Sequence, residues 1–256
     1  MSLILELKNI GMNFHDPLSE TIAIDNISFG VNQGEFVSIV GPSGCGKSTL
    51  LSIISGLLPA SRGECLIGGK PISSGEKTRR NVGYMLQRDH LFEWRTILGN
   101  ALLGLEVRGE ICAQNRADCE NLLARYGLYE FRNHRPSQLS GGMRQRAALI
   151  RTLSINPSIL LLDEPFSALD YQTRLHVTDD IATIIRKEGK TAVLVTHDIS
   201  EAVSVSDRVI VLSKRPSRII NIHNVGLSDI EMSPIKAREH PDFRKHFNLI
   251  WKELEV

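Results

Sequence analysis

The chain has 256 residues, 42% hydrophobic and 23% charged, enough to bury a full-sized core and too apolar for a disordered chain. Thirty Lys and Arg against 29 Asp and Glu give a formal charge of +1, so no global field draws in nucleic acid and any polyanion must be held locally. Cys45, Cys65, Cys112 and Cys119 are too sparse for a disulfide framework, and the N-terminus shows no basic region leading into an apolar signal core, which reads as a reduced, cytosolic chain. The longest nearly uncharged apolar stretch, residues 50–60, is about half the roughly 20 residues that a membrane span needs.

Residues 3–8 and 21–31 are rich in Leu, Ile and Val with partial alternation and flank the polar stretch 13–20, predicting two antiparallel strands at the edge of the fold. Residues 35–40 form a short apolar strand that runs into Gly41, and from Lys47 the residues Leu50, Leu51, Ile54 and Leu57 turn to helical spacing. A small β stretch at 64–69 and a strand at 81–86 follow. Residues 96–126 then take helical spacing as far as Gly127, predicting an inserted helical lobe. From Ser158 short apolar strands at 159–162, 192–195 and 208–212 alternate with helical stretches, the pattern of parallel α/β construction. The tail from Asn221 is less regular until 240–254, where Phe243, Phe247, Ile250, Trp251 and Leu254 share one helical face that must be buried, best on the chain's own core and otherwise on a second subunit or a membrane surface.

Gly41-Pro42-Ser43-Gly44-Cys45-Gly46-Lys47-Ser48-Thr49 fits G-x-x-x-x-G-K-[ST] between a strand and a helix. Glycines let the loop's N–H groups wrap a polyphosphate, and the positive end of the following helix adds to the field. Lys47 then reaches the β- and γ-phosphates, and the Ser48 hydroxyl binds Mg2+. The buried strand 158–162 runs into Asp163 and Glu164 at the ligand edge of a parallel sheet. Asp163 suits Mg2+. Because neighbours on an extended chain point in opposite directions, Glu164 is left to orient the water that attacks the γ-phosphate. Cys45 is a thiol inside the loop, read as a small residue that the loop tolerates.

Leu139-Ser140-Gly141-Gly142-Met143-Arg144-Gln145-Arg146 opens another helix, with Ser140 as a good N-cap. This segment resembles the signature motif of ATP-binding-cassette (ABC) ATPases, with Met143 where many members carry Gln. The supporting motifs stand in order: Gln87 matches the Q-loop glutamine, Ser167 to Asp170 the D-loop, and His197 the switch histidine. The resemblance covers roughly residues 3–220. It implies a P-loop NTPase (RecA-like) α/β core with an N-terminal antiparallel β subdomain and an inserted α-helical subdomain. On this reading the ATPase domain is 1–220, with core 1–90 and 156–220 and helical subdomain about 91–155, and 221–256 is a short tail with a terminal helix.

The resemblance further implies that Phe14 stacks on adenine, that Gln87 binds Mg2+ or the attacking water, and that His197 contacts the γ-phosphate. Two copies pair head to tail, so that Leu139, Ser140, Gly141, Gly142 and Met143 of one face the ATP held on Lys47 of the other. The implied activity is ATP hydrolysis at the cytoplasmic face of the membrane, energising integral permease subunits and indirectly served by a solute-binding protein. Gly34-Glu-Phe-Val, the Met-containing signature, Arg215-Pro-Ser-Arg218 and the short tail with Trp251 are similar to the nitrate, sulfonate, taurine and bicarbonate importer branch, which also includes uptake systems for thiamine-related pyrimidines. A soluble ABC ATPase acting on DNA or ribosomes is disfavoured by the single cassette, the lack of a heptad arm and the balanced charge. Leu91, Phe92 and Trp94 form an apolar tip after Gln87 that suits a permease helix, with Glu93-Trp94 where many members have Pro before Trp.

Overall fold

The computed structural model describes residues 2–16, 19–227 and 233–255; part of the tail, 228–232 and 256, lies outside them, as do 1 and 17–18. Two sheets form the frame. Strands β1 (Leu3–Asp16), β2 (Ser19–Asn32), β4 (Arg62–Ile67) and β5 (Lys70–Pro71) make an antiparallel sheet in the order β2-β1-β4-β5. Strands β3 (Phe36–Val40), β6 (Val82–Met85), β7 (Ile159–Asp163), β8 (Thr191–Val195), β9 (Arg208–Leu212) and β10 (Ile219–Asn224) make the second, in the order β10-β9-β3-β8-β7-β6. There β6, β7, β8, β3 and β9 run parallel and β10 returns antiparallel to β9.

The helices are α1 (Lys47–Ile54), α2 (Glu76–Arg79), α3 (Ile97–Ala101), α4 (Leu103–Val107), α5 (Ala113–Arg125), α6 (Gly141–Leu153), α7 (Tyr171–Lys187), α8 (Ile199–Val205), α9 (Pro234–Ala237) and α10 (Phe243–Leu254). Continuous apolar strands need two covered faces, and the pleat divides them. Ile159, Leu161, Val193 and Val195 face a core shared with α1 and the antiparallel sheet. Their alternates Leu160, Leu162, Ala192 and Leu194 face the core built by α3, α5, α6 and α7. A third cluster joins Val40, Val209 and Val211 to α8, α9 and Ile250 of α10.

Several elements differ from the pattern reading. The first hairpin continues through the polar stretch, with Asn13 opposite Ile22, Phe14 opposite Thr21 and His15 opposite Glu20. Solvent-facing polar side chains do not interrupt a backbone ladder, and Asn13 Nδ2 adds a cross-strand bond to Glu20 Oε1 at 2.8 Å. Helix α1 stops at Ile54, which leaves Leu57 72% exposed rather than on its buried face. The segment 96–126 divides into three helices, and Arg108 at the break donates to the carbonyls of Ile155 (3.2 Å) and Arg80 (2.7 Å). The tail starts inside β10 rather than in irregular chain; its polar, half-exposed residues hid the strand period.

Helix α10 docks on the chain's own core, as its stripe of apolar residues predicts. Ile250 is fully buried, Phe243, Phe247 and Leu254 pack beside it, and Trp251 stays half-exposed, stacked on Phe247. Glu253 locks the far end by accepting from Asn221 Nδ2 (2.8 Å) and by pairing with His223 Nε2 (2.8 Å). Truncating a fully buried isoleucine costs about 3 kcal/mol. Ile250→Ala should therefore lower the thermal midpoint followed by circular dichroism, and removing residues 240–256 should lower it further.

Candidate active site

The parallel strands end on one edge of the sheet, and there the loop after β3, Gln87 after β6, Asp163 and Glu164 at the end of β7 and His197 after β8 all leave. Gly46 caps α1 at φ 114°. A Cβ on it would lie 3.3 Å from Ile24 Cγ1 and 3.4 Å from the Ala23 carbonyl, a close fit, and the positive φ is what favours glycine. Lys47, the first residue of α1, is buried, and its ammonium donates to the carbonyls of Gly41 (2.8 Å) and Pro42 (3.0 Å). Two of its three N–H groups hold the loop's own backbone. Cys45 is buried in the same loop, which denies its thiol access to reagents. Ser43 and Ser48 are exposed and Thr49 is half-buried.

Ser48 Oγ donates to Asp163 Oδ1 at 2.9 Å, and Tyr84 OH donates to Asp163 Oδ2 at 3.2 Å. Burial raises the Asp163 carboxyl above its ordinary pKa, only partly offset by these two hydrogen bonds and by Lys47. Glu164 does not continue the strand. It takes φ 44°, its N–H donates to the Val195 carbonyl (2.9 Å), and its carbonyl accepts from the Ser167 N–H (3.2 Å) and hydroxyl (3.0 Å). The two acids diverge because of a left-handed turn, which corrects the expectation that the pleat separates them. Glu164 Oε2 lies 3.1 Å from His197 Nδ1, and Gln87 Nε2 donates to Ser167 Oγ at 3.3 Å. Gln87, Ser167, Glu164 and His197 thus form one connected set beside Ser48, Asp163 and Tyr84.

The signature residues stand apart. Ser140 is exposed and caps α6 by accepting from the Met143 N–H (3.4 Å), with Leu139 and Met143 packed on the helical core. Gly141 is exposed and Gly142 buried, and a Cβ on Gly142 would lie 2.8 Å from Val177 Cγ2, so glycine lets α6 approach α7. Asp170 caps α7 by accepting from the Thr173 N–H at 3.1 Å, and Thr173 holds its carboxyl below the usual range. Among the described residues no hydrogen bond joins Leu139–Met143 to the phosphate loop. Phe14 lies on β1, 42% exposed and outside the cluster.

Two contributors escaped the sequence reading. Tyr84 sits on a strand that the pattern shows, but a tyrosine there reads as core filler. Asp89, two residues past Gln87, takes a two-pronged grip from Arg144 of α6, Nε to Oδ2 at 2.9 Å and NH2 to Oδ1 at 3.2 Å. Arg151 adds bonds to the carbonyls of Asp89 and His90, both at 2.7 Å. Burial raises the Asp89 carboxyl, but the Arg144 fork and the Leu91 N–H outweigh it, so its pKa falls below the ordinary value. No local signal marks a pair so far apart in sequence. The expected apolar tip is smaller than its sequence suggests, because Leu91 is buried in the helical core. Trp94 is 71% exposed and stacks on Phe92 with ring centroids 4.6 Å apart.

A glycine loop between a parallel strand and a helix, beside an acidic strand end, defines a P-loop nucleotide-binding fold. The pattern of the family described as ABC transporter matches residues 24–167. The uncharacterized ABC transporter ATP-binding protein YtlC of Bacillus subtilis is 45% identical over 250 residues, 98% of this chain and 95% of that protein. The taurine import ATP-binding protein TauB of Roseobacter denitrificans is 34% identical over 254 residues, 96% of this chain and 94% of that one. Among solved structures, the dimeric bacterial ABC transporter cassette MJ0796 superposes with a TM-score of 0.74 at 34% identity, covering 86% of this chain and 98% of that one. A post-hydrolysis dimer of that cassette with ADP and Pi gives 0.69 at 33% identity, covering 85% and 99%. The chain belongs to the ABC transporter family, among its ATP-binding proteins, and has the ABC ATPase fold.

One buried acid borders the site. Glu201 of α8 lies one turn beyond His197, 3% exposed, with Thr178 Oγ1 donating to its Oε1 at 3.4 Å. Burial pushes its carboxyl up to about 7, Thr196 opposing and Asp198 assisting. A raised carboxyl favours the protonated folded form, so the stability it contributes is complete below the ordinary value near 4.5 and lost as pH rises through about 7. Glu201→Gln should match the parent's thermal midpoint near pH 4.5 and exceed it at pH 8, where the gain in stability is on the order of 3 kcal/mol. Parallel melts of both proteins at the two pH values check this.

Proposed function

We propose that this chain binds and hydrolyses ATP as the energising subunit of an ABC importer for a small anionic solute of the taurine and sulfonate kind. The observation that carries the hydrolytic part is the 3.1 Å contact between Glu164 Oε2 and His197 Nδ1 beside the Ser48 and Asp163 pair. The loop Gly41–Thr49 binds the polyphosphate through backbone N–H groups, with Lys47 supplying the positive charge. Glu164 is the carboxylate that orients and deprotonates the attacking water, and His197 fixes its direction and reaches the γ-phosphate. Gln87, tied to Ser167, stands where it can share the water. Phe14, exposed on β1, offers a face for adenine.

Ser48 Oγ and Asp163 Oδ1, 2.9 Å apart beside the loop, are the hard oxygen donors that Mg2+ takes, so these residues fit that ion, with Gln87 as a further oxygen donor. When bound with ATP, Mg2+ neutralises charge across the β- and γ-phosphates. The exposed Ser140 cap and Gly141 can meet an anion, and among the described residues no hydrogen bond joins them to the chain's own loop, which supports a head-to-tail dimer. In it the cap of one copy faces the ATP on Lys47 of the other. The dimeric MJ0796 cassette supports pairing of two copies, and the taurine-import relatives support the importer role, for which a permease at the cytoplasmic membrane face is the partner we propose. No helix among the described residues is long and apolar enough to cross a membrane.

Glu164→Gln keeps the size and hydrogen bonding of the side chain but removes the base. ATP turnover should fall about 100- to 10,000-fold while the variant still binds ATP and elutes as a dimer with it. A variant that hydrolyses normally and stays monomeric overturns the assignment. The Phe92 and Trp94 stack is the apolar anchor for a permease helix. Trp94→Ala should therefore lower permease capture and solute transport in membranes carrying the full complex, with ATPase activity of the isolated chain kept within about twofold.

A further inference from the structure

The turn between β9 and β10 does more than reverse the chain. It closes on itself, with the Ser213 N–H donating to the Arg218 carbonyl and the Arg218 N–H to Ser213 Oγ, both at 2.9 Å. It is also bolted to β2: the Ser217 N–H donates to the Ala23 carbonyl (3.0 Å), the Asp25 N–H to the Ser217 carbonyl (2.9 Å), and Arg218 Nε to Asp25 Oδ2 (2.9 Å). Asp25 also pairs with Arg62. Gly46 rests against this same joint, since a Cβ there would meet Ile24 and Ala23 of β2 and, at 3.9 Å, Ser217 of the turn. From this anchored turn Arg215 reaches out and donates through NH2 to the carbonyl of Gly44, at 2.6 Å.

The peptide unit is planar, so the Gly44 carbonyl and the Cys45 N–H point to opposite sides of one rigid plate. The Cys45 N–H donates to the Pro42 carbonyl (3.2 Å), the same acceptor that the Lys47 ammonium uses (3.0 Å). A guanidinium holding the carbonyl outward therefore holds the N–H on the side of Lys47, and its charge polarises the amide and makes that N–H a stronger donor. We propose that Arg215 is a positioning residue of the phosphate loop, fixing the Gly44–Cys45 peptide and with it the Pro42–Cys45 turn that shapes the loop around the β-phosphate of the nucleotide. The inference rests on the reading of Gly41–Thr49 as the ATP polyphosphate site.

Equilibrium binding of ATP, ADP and AMP to the full chain tests it, together with steady-state ATPase kinetics. Arg215→Ala should raise the Kd for ATP and ADP about fivefold and leave the weak AMP affinity unaltered, because AMP lacks the β-phosphate. KM should rise in step, with kcat at saturating ATP near the parent value. Arg215→Lys should recover part of the loss, since an ammonium still donates to a carbonyl. Arg218→Ala, which loosens the same turn without touching the loop, is the structural control: its melting temperature should drop and its nucleotide affinities should not change. An unchanged Kd in Arg215→Ala overturns the proposal, and so does an equal loss in Arg218→Ala. A parent chain that binds no ATP, or binds it as well after Lys47→Ala, overturns the underlying nucleotide reading instead.

Discussion

Parallel pairing among β3, β8 and β7 is the constraint on which the rest depends. In parallel strands all C-terminal ends lie on one edge, so residues from positions 41, 163 and 197, far apart in sequence, are brought to one place by the ladder that pairs their neighbours. The register fixes their mutual heights, Ile39 lying beside Val195 and Asp163 beside Val195 from the other side. Both faces of these strands are buried in separate apolar cores, which makes a one-residue slip costly on two sides at once. The Glu164 to His197 contact is therefore a product of sheet register before it is a product of either side chain.

On this edge the backbone takes conformations that core packing alone would not select. Gly46 and Glu164 both sit in the left-handed region, one at no steric cost and the other against a preference. The Glu164 turn is held by three hydrogen bonds, to Val195 and from the Ser167 backbone and hydroxyl, which together over-determine it. Strain held in this way fixes a carboxylate in advance, so in the hydrolysis proposed for this site less ordering would be left to do.

Much of this was legible in the sequence, for identifiable reasons. The strand, loop and helix around Lys47, the buried strand ending in Asp163 and the cap at Ser140 are local patterns, each written within about ten residues, and local patterns survive without coordinates. The stripe from Phe243 to Leu254 told that one side of α10 is covered, and its period told which side. What stayed hidden was either two-dimensional or polar. Tyr84 meets Asp163 only because β6 lies beside β7, and Arg144 meets Asp89 only because α6 packs over the loop after β6. Strand β10 escaped because Asn221, His223 and Asn224 break the apolar alternation, yet the β9 ladder accepts them since one side of this edge strand faces solvent. The separation of Asp163 and Glu164 follows in outcome from the sequence but not in cause, because a left-handed glutamate, unlike a left-handed glycine or asparagine such as Asn156, leaves no trace in a sequence.

The grip of Arg144 on Asp89 makes two positions 55 residues apart a single inherited unit. A lysine at 144 leaves one point charge where two directed bonds stood, and a neutral residue at 89 leaves a partly buried guanidinium facing Glu93 alone at 3.1 Å. Neither step is neutral by itself, so the physics favours paired replacement at this seam over either single change. Trp94, exposed and stacked on the half-buried Phe92, has no such bond to α6 among the described residues, so fewer contacts constrain it. Descendants of this chain can then acquire a different apolar tip while the joint behind it, between the loop after β6 and the helix that Ser140 caps, is handed down intact.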